Sequence, residues 1–295
     1  MRWSDFRRSG NVEDRRGGGM PGGAAGGLGI GTVVVLGLVG WALGIDPRVL
    51  IGGAEVLTGN RAGYEAPQVP SGPSEAPNDQ FGQFVSAVLG DTEDRWKEIF
   101  QKAGQRYSEP KLVMFSGVTR SACGRAQSAM GPFYCPNDQQ VYLDTSFFRD
   151  LEQRFRGCSG KACQFAQAYV ISHEIGHHVQ NLLGILSKAQ EAQQGLSQAQ
   201  ANQLQVRVEL QADCFAGIWA HHAQVKWKFI EAGDVEAAMQ TASAIGDDRL
   251  QKQTQGHVMP DAFTHGSSEQ RVRWFTTGLK DGSVSSCNTF AASQL

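Results

Sequence analysis

Residues 28–45, LGIGTVVVLGLVGWALGI, form an uncharged apolar run that divides this 295-residue chain unequally. A helix of 18 residues rises about 1.5 Å at each, so this run would reach roughly 27 Å, enough to cross a hydrocarbon core. A cleaved leader fits less well, because the run starts far from the N-terminus and ends in Ile45-Asp46-Pro47 rather than in small residues. Its glycines and its lack of a polar face argue against a buried core helix. One transmembrane helix is the expectation. Arg2, Arg7, Arg8, Arg15 and Arg16 precede it, whereas only Arg48 and Arg61 follow nearby. The positive-inside rule then places the N-terminus in the cytoplasm and the remainder on the extracytoplasmic, or periplasmic, side of an inner membrane.

The segments around the run differ in composition. Residues 1–27 are basic and then glycine-rich, with too little apolar surface to fold, and read as a disordered cytoplasmic tail. Residues 46–78 carry Pro47, Pro67, Pro70, Pro73 and Pro77 among Gly, Ser and Glu, the composition of a linker. Residues 79–295 remain as the globular domain. A formal net charge of −2 gives no reason to expect nucleic acid as a partner. Cys123, Cys135, Cys158, Cys163, Cys214 and Cys287 all follow the run, and an even number there reads as disulfides in an oxidising compartment. The nearest neighbours, Cys123–Cys135 and Cys158–Cys163, are the first choice of pairing, which leaves Cys214–Cys287. A four-cysteine zinc site is the rival, but the spacing of Cys123 and Cys135 is poor for one.

Within the domain, Phe81, Phe84, Val85, Val88 and Leu89 have helical spacing. Asp91 or Thr92 is placed to cap a second helix striped by Trp96, Ile99, Phe100 and Ala103. Between residues 111 and 144, LVMFSGV, GPFYC and QQVYLD are short runs separated by turn residues, which predicts a small antiparallel sheet. QQVYLD is a candidate edge strand on which an extended peptide could pair. From about Cys163 the pattern is helical, with Ser197, Asp234 and Ser267 or Ser268 as N-caps. The expected class is α+β, mainly helical, with one small sheet.

The chemistry concentrates in AYVISHEIGHHVQNLL, residues 168–183. His173-Glu174-Ile175-Gly176-His177 is an H-E-x-x-H sequence, and Phe165, Ala168, Tyr169, Ser172, Gly176, Val179 and Leu183 recur at helical spacing around it. Residues four apart on a helix share a face, so His173 and His177 can bind one Zn²⁺. Glu174 can then reach a water at the ion without ligating it. A third ligand is available in VELQADCFAGIWAHH, where Glu209 and Asp213 again stand four apart. Glu209 completes a His₂Glu set, and Asp213 can accept the second ring N–H of a ligand histidine. Arg271, one helical turn beyond Ser267, is placed to pair with a site carboxylate. His178, His221, His222 and His257 read as satisfied or exposed imidazoles.

HEIGHH, ELQADCFAG and THGSSEQRVRWF, in that order, resemble a bacterial family of neutral zinc metallopeptidases. The wider likeness is to gluzincins, particularly membrane metallopeptidases with an E-x-x-A-D second motif. The resemblance implies a zincin-like domain, Zn²⁺ as cofactor, His173, His177 and Glu209 as ligands and Glu174 as general base. It also makes His265, in Thr264-His265, the candidate donor for developing oxyanion charge. The implied activity is zinc-dependent hydrolysis of peptide bonds in a peptide or protein substrate outside the cytoplasmic membrane. The alternatives are a zinc-stabilised binding module of the cell envelope without catalysis, and a zinc amidase acting on cell-wall peptide.

Overall fold

The structure is a computed structural model that describes residues 1–16, 77–127, 131–153, 163–248, 258–260 and 263–295. The expected membrane helix and most of the expected linker lie outside these residues. Among the described residues no helix is long and apolar enough to cross a membrane. The expected fold class is corrected in its sheet: the body is mainly helical, but the small sheet is mixed rather than antiparallel.

Residues 1–16 are not a disordered tail but part of the folded body, which comprises Met1–Gly17 and Ser74–Leu295. Strand β1, Val12–Asp14, pairs in parallel with β2, Lys111–Phe115. Met1 and Phe6 are buried, and the Phe6 ring packs against Trp227 and Phe229. Polar contacts hold the strap to helix α1, Gln80–Lys102: Ser9 Oγ and Asn11 Nδ2 donate to the buried Glu93 Oε1 at 2.7 and 2.8 Å, and Arg7 pairs with Glu93 and Asp94. Composition missed this, because the apolar residues that anchor the strap are few and widely spaced and their partners are distant in sequence.

Gly90 makes the close approach possible. A Cβ there would lie 2.2 Å from the Arg7 carbonyl oxygen, which is backbone and cannot rotate away. Gly90→Leu is expected to displace the strap and lower the unfolding free energy by about 1–3 kcal/mol, as overpacking does. Denaturant unfolding measures this, and an unchanged midpoint would mean that the strap is not docked there.

Helix α1 is one continuous helix capped by Asp79, not two. Asp91 does not cap it. The carboxylate is buried mid-helix and accepts the indole N–H groups of Trp219 and Trp227 at 2.9 and 2.7 Å. Burial raises the Asp91 pKa, and those donors together with Arg95 oppose the rise. The Thr92 hydroxyl bonds back to the Leu89 carbonyl, a contact compatible with a helix interior.

The sheet is mixed, in the order β1-β2-β6-β5, with β5 at Phe133–Cys135 and β6 at Gln140–Asp144. β2 runs parallel to β6, while β5 runs antiparallel to it. A separate antiparallel hairpin joins β3, Val118–Ser121, to β4, Gly124–Gln127. The run LVMF in β2 signalled this arrangement: strands buried on both faces read as continuous apolar runs, whereas half-exposed antiparallel strands alternate. Leu112, Val113, Met114 and Phe115 are all buried. QQVYLD is therefore an inner strand, and β5 occupies the edge that it was expected to form. Disulfide Cys123–Cys135 ties the hairpin turn to β5.

The helices follow as α2, Thr145–Gln153; α3, Cys163–Leu182; α4, Ile185–Gln193; α5, Gln198–Trp227; α6, Asp234–Ala244; and α7, Ser268–Asp281. Ser197 and Ser267 each complete a capping box with the glutamine three residues on. Asp234 stands one position inside its helix, after Gly233 as cap. α5 is the central element, sealed from Val208 to Ala220 between α3 and α7. Disulfide Cys214–Cys287 ties α5 to the short turn Val284–Cys287 after α7. Cys163 is also disulfide-bonded, while Cys158 lies outside the described residues.

Candidate metal centre

Two helices build the site, and a glycine within the H-E-x-x-H sequence sets their separation. A Cβ on Gly176 would meet the Ala212 carbonyl at 2.9 Å, so a larger residue would push α5 off α3. His173 and His177 flank Gly176, and Glu209 lies one turn before Ala212. The close crossing therefore brings the three side chains together. His173 Nε2 and His177 Nε2 stand 3.3 and 3.4 Å from Glu209 Oε2. The other carboxylate oxygen, Oε1, accepts from Gln205 Nε2 at 2.9 Å, which orients Oε2 toward the imidazoles.

The donors suit a tetrahedral ion. Two atoms each about 2.0–2.1 Å from such an ion are about 3.3 Å apart. The donor atoms of His173, His177 and Glu209 all lie within 4.8 Å of one another, and among the described residues this is the His/Cys/Asp/Glu group that could hold a metal. Two imidazoles and one carboxylate are a zinc donor set that leaves a fourth position. Glu174 is buried on the same helix and contributes no atom to the group.

Behind His173 lies a sealed polar cluster. Asp213 Oδ1 accepts His173 Nδ1–H at 2.8 Å and the Tyr169 hydroxyl at 2.6 Å. Arg271 donates Nε to Asp213 Oδ2 and Nη2 to Oδ1, both at 2.9 Å, a bidentate pair. All four residues are buried. Burial alone would raise the Asp213 pKa, but Arg271 and His173 hold it down to about 2. Burial would likewise raise Glu209, and the two histidines hold it well below the usual range. For His173, burial opposes protonation, yet Asp213 and Glu209 push the imidazole up to about 10; His177 is also raised, against burial, by Glu209.

The metal-free cluster therefore binds protons that an ion must displace. A raised ligand pKa weakens metal binding below that pKa, and the penalty shrinks as pH rises. Apparent zinc affinity is expected to rise about tenfold per pH unit, for each proton displaced, between about pH 6 and 8. Chelator competition measures this slope, and a pH-independent affinity would remove the histidines from the ligand set.

His265 stands near enough to Glu209 to feel its charge, with about half of its side chain exposed. Asp247, which the sequence reading missed, holds its loop. Asp247 Oδ2 accepts the backbone N–H groups of Thr264, His265 and Gly266 at 2.6, 2.6 and 3.0 Å, and Oδ1 faces His265 Nδ1 at 3.2 Å. Burial opposes protonation of His265, but Asp247 and the nearby Glu209 charge raise its pKa. No local signal marked Asp247, which lies far back in sequence on no shared helix. Tyr169, one turn before His173, was findable by helical spacing. The remaining described histidines are satisfied: His178 by Tyr134 Oη and the Ser108 carbonyl, His221 by the Leu279 carbonyl, and His222 by the Gly282 carbonyl. His257 lies outside the described residues.

The chain matches the family described as "Putative neutral zinc metallopeptidase" over residues 1–290. It is 48% identical to "Uncharacterized protein YpfJ" of Escherichia coli K12, over 99% of this chain and 100% of that protein. It is 39% identical to "Uncharacterized protein Rv2575" of Mycobacterium tuberculosis H37Rv, over 86% of this chain and 85% of that one. No solved structure matches it.

Proposed function

Because this chain belongs to the neutral zinc metallopeptidase family, we propose that it is a zinc-dependent endopeptidase in which His173, His177 and Glu209 hold the ion and Glu174 is the general base. The observation that carries this reading is the three-donor cluster with a buried, non-ligating Glu174 beside it. A site serving structure alone favours a closed set of four ligands, and a free carboxylate at this place has its use in moving protons. That argues against a binding module without catalysis.

A bound zinc supplies Lewis acidity, drawing charge from a scissile carbonyl and bringing the pKa of water to about 7. Glu174 takes the proton from the attacking water and returns it to the leaving amine. Asp213 keeps His173 Nδ1 protonated and so commits Nε2 to the metal. His265, held toward its protonated form by Asp247, presents Nε2–H to developing oxyanion charge. This role predicts that activity falls as pH rises through the raised His265 pKa. His265→Ala should lower kcat with zinc content unchanged, and Asp247→Asn should move the limb to lower pH. Unchanged kcat in His265→Ala would remove the residue from the chemistry.

The test of the activity is fragment profiling by mass spectrometry, with envelope proteins and cell-wall peptides as separate substrates. Cleavage of internal peptide bonds that chelation stops and zinc restores is the expected result. Cleavage confined to cell-wall peptide amides would favour the amidase, and no cleavage of either would favour the binding module.

The disulfides support a location outside the cytoplasm, where oxidising conditions maintain them. Residues 1–16 share that compartment on this reading, since β1 and β2 cannot pair across a membrane. Asp5 and Gln198 are exposed on the strap and the main body. With a membrane-impermeant maleimide on intact spheroplasts, Asp5→Cys and Gln198→Cys should both be labelled. Labelling of only one would separate strap from body, and labelling of neither before lysis would contradict the location.

A further inference from the structure

Gln180 and Gln211 are buried amides for which hydrolysis provides no use. Their orientations can be deduced from the groups around them. The Cys287 carbonyl can only accept, so the Gln211 amide turns its NH₂ toward it, at 3.0 Å. Gln211 Oε1 then faces Gln180, whose NH₂ donates to it at 3.0 Å and to the Val208 carbonyl at 2.8 Å. Two acceptors fix that amide in turn and leave Gln180 Oε1 facing His177 Nδ1 at 2.9 Å. An acceptor at that place requires Nδ1 to carry a proton, which commits Nε2 to the metal side.

We propose that Gln180 and Gln211 are positioning residues, a relay from Cys287 that fixes the His177 ring for zinc and makes zinc affinity depend on the Cys214–Cys287 disulfide. The far end of the relay is well anchored. The Cys287 side chain is bonded to Cys214 on α5, and its carbonyl also accepts the Thr289 N–H at 2.9 Å. Thr289 is fastened to α5 in turn, its hydroxyl donating to the Arg207 carbonyl at 2.6 Å. The two histidines are thus held differently: His173 by an anion that Arg271 neutralises, His177 by a neutral amide whose geometry the disulfide sets. Loss of the relay should affect His177 alone. The proposal rests on His177 being a ligand, as in the function proposed above.

The test uses the whole chain and two readouts: zinc affinity by chelator competition, and exchange of each histidine Nδ1–H with water, by NMR on the metal-free protein. Gln180→Leu should lower zinc affinity roughly 10- to 100-fold, the usual size for loss of a ligand's outer partner. It should speed exchange at His177 and leave His173 as it was. Gln211→Leu, which keeps Gln180 on Val208, should act in the same direction and serves if Gln180→Leu does not fold. Cys214→Ala with Cys287→Ala should lower affinity in the wild-type background and add nothing on top of Gln180→Leu. Unchanged affinity and exchange in the glutamine variants, or a disulfide effect of equal size in both backgrounds, would overturn the relay. If the wild type binds no zinc, the proposal fails through its premise, and slow exchange at His177 would show that the hydrogen bonds themselves were read correctly.

Discussion

Glu174→Gln should reduce peptide turnover roughly 10²- to 10⁴-fold, the range that a positioned acid–base group contributes, while zinc content stays at the wild-type level. The substitution keeps the size and shape of a buried side chain and removes only its capacity to take a proton. His173, His177 and Glu209 supply the donor group without Glu174, so nothing in the ligand set changes. The loss should appear in kcat and in kcat/KM alike, because the proton transfer belongs to the transition state rather than to substrate binding. Steady-state kinetics with parallel metal analysis measures both. Loss of zinc together with activity would make Glu174 a ligand, and wild-type turnover would remove it from the chemistry.

Arg271→Met carries the largest expected effect on stability. Arg271 and Asp213 are buried and bidentate, and removing one member of such a pair costs about 3–5 kcal/mol because it strands the other charge. For a folded body of this size, the melting temperature should fall by roughly 6–20 °C. The pH dependence has a definite sign. Asp213 is depressed to about 2 in the fold, so its contribution is present above the ordinary carboxylate pKa of about 3.9 and is lost as pH falls toward 2. The gap between wild type and Arg271→Met should therefore be full near neutrality and narrow in acid. A shift of only a degree or two at pH 7 would mean that the pair is solvated. The same geometry makes Asp213→Asn more disruptive than its role on His173 alone suggests, since it would leave the buried guanidinium short of its partner.

The metal-centre geometry was legible because it is written in local spacing. His173 and His177, and Glu209 and Asp213, stand four apart on helices whose apolar neighbours announce the period, and the structure brings His173, His177 and Glu209 together. Arg271 follows the cap at Ser267 by one turn, and its guanidinium pairs with Asp213. The disulfides Cys123–Cys135 and Cys214–Cys287 agree with the pairing of nearest neighbours and its remainder. What failed depended on long-range pairing. β1 is a three-residue strand of polar character whose partner lies about a hundred residues on, and a basic stretch before a glycine run looks like a tail in any local window. Ser86 and Gly90 on α1 were the available clue, small residues on one face where another backbone comes close: Ser86 Oγ donates to the Ser9 carbonyl at 2.9 Å. The sheet direction was lost for a similar reason. Turn residues between short runs suggest hairpins, but the segment from β2 to β6 contains a hairpin of its own and returns the chain in parallel.

The most direct measurement is zinc per chain, after dialysis against a weak chelator, in wild type, Glu174→Gln and Glu209→Ala. Glu209 Oε2 faces both imidazoles, so its removal should weaken zinc binding by more than the roughly 10- to 100-fold expected for an outer partner. One zinc per chain in wild type and Glu174→Gln, with little in Glu209→Ala, is the predicted result. Full zinc retention in Glu209→Ala would contradict the assignment of the centre.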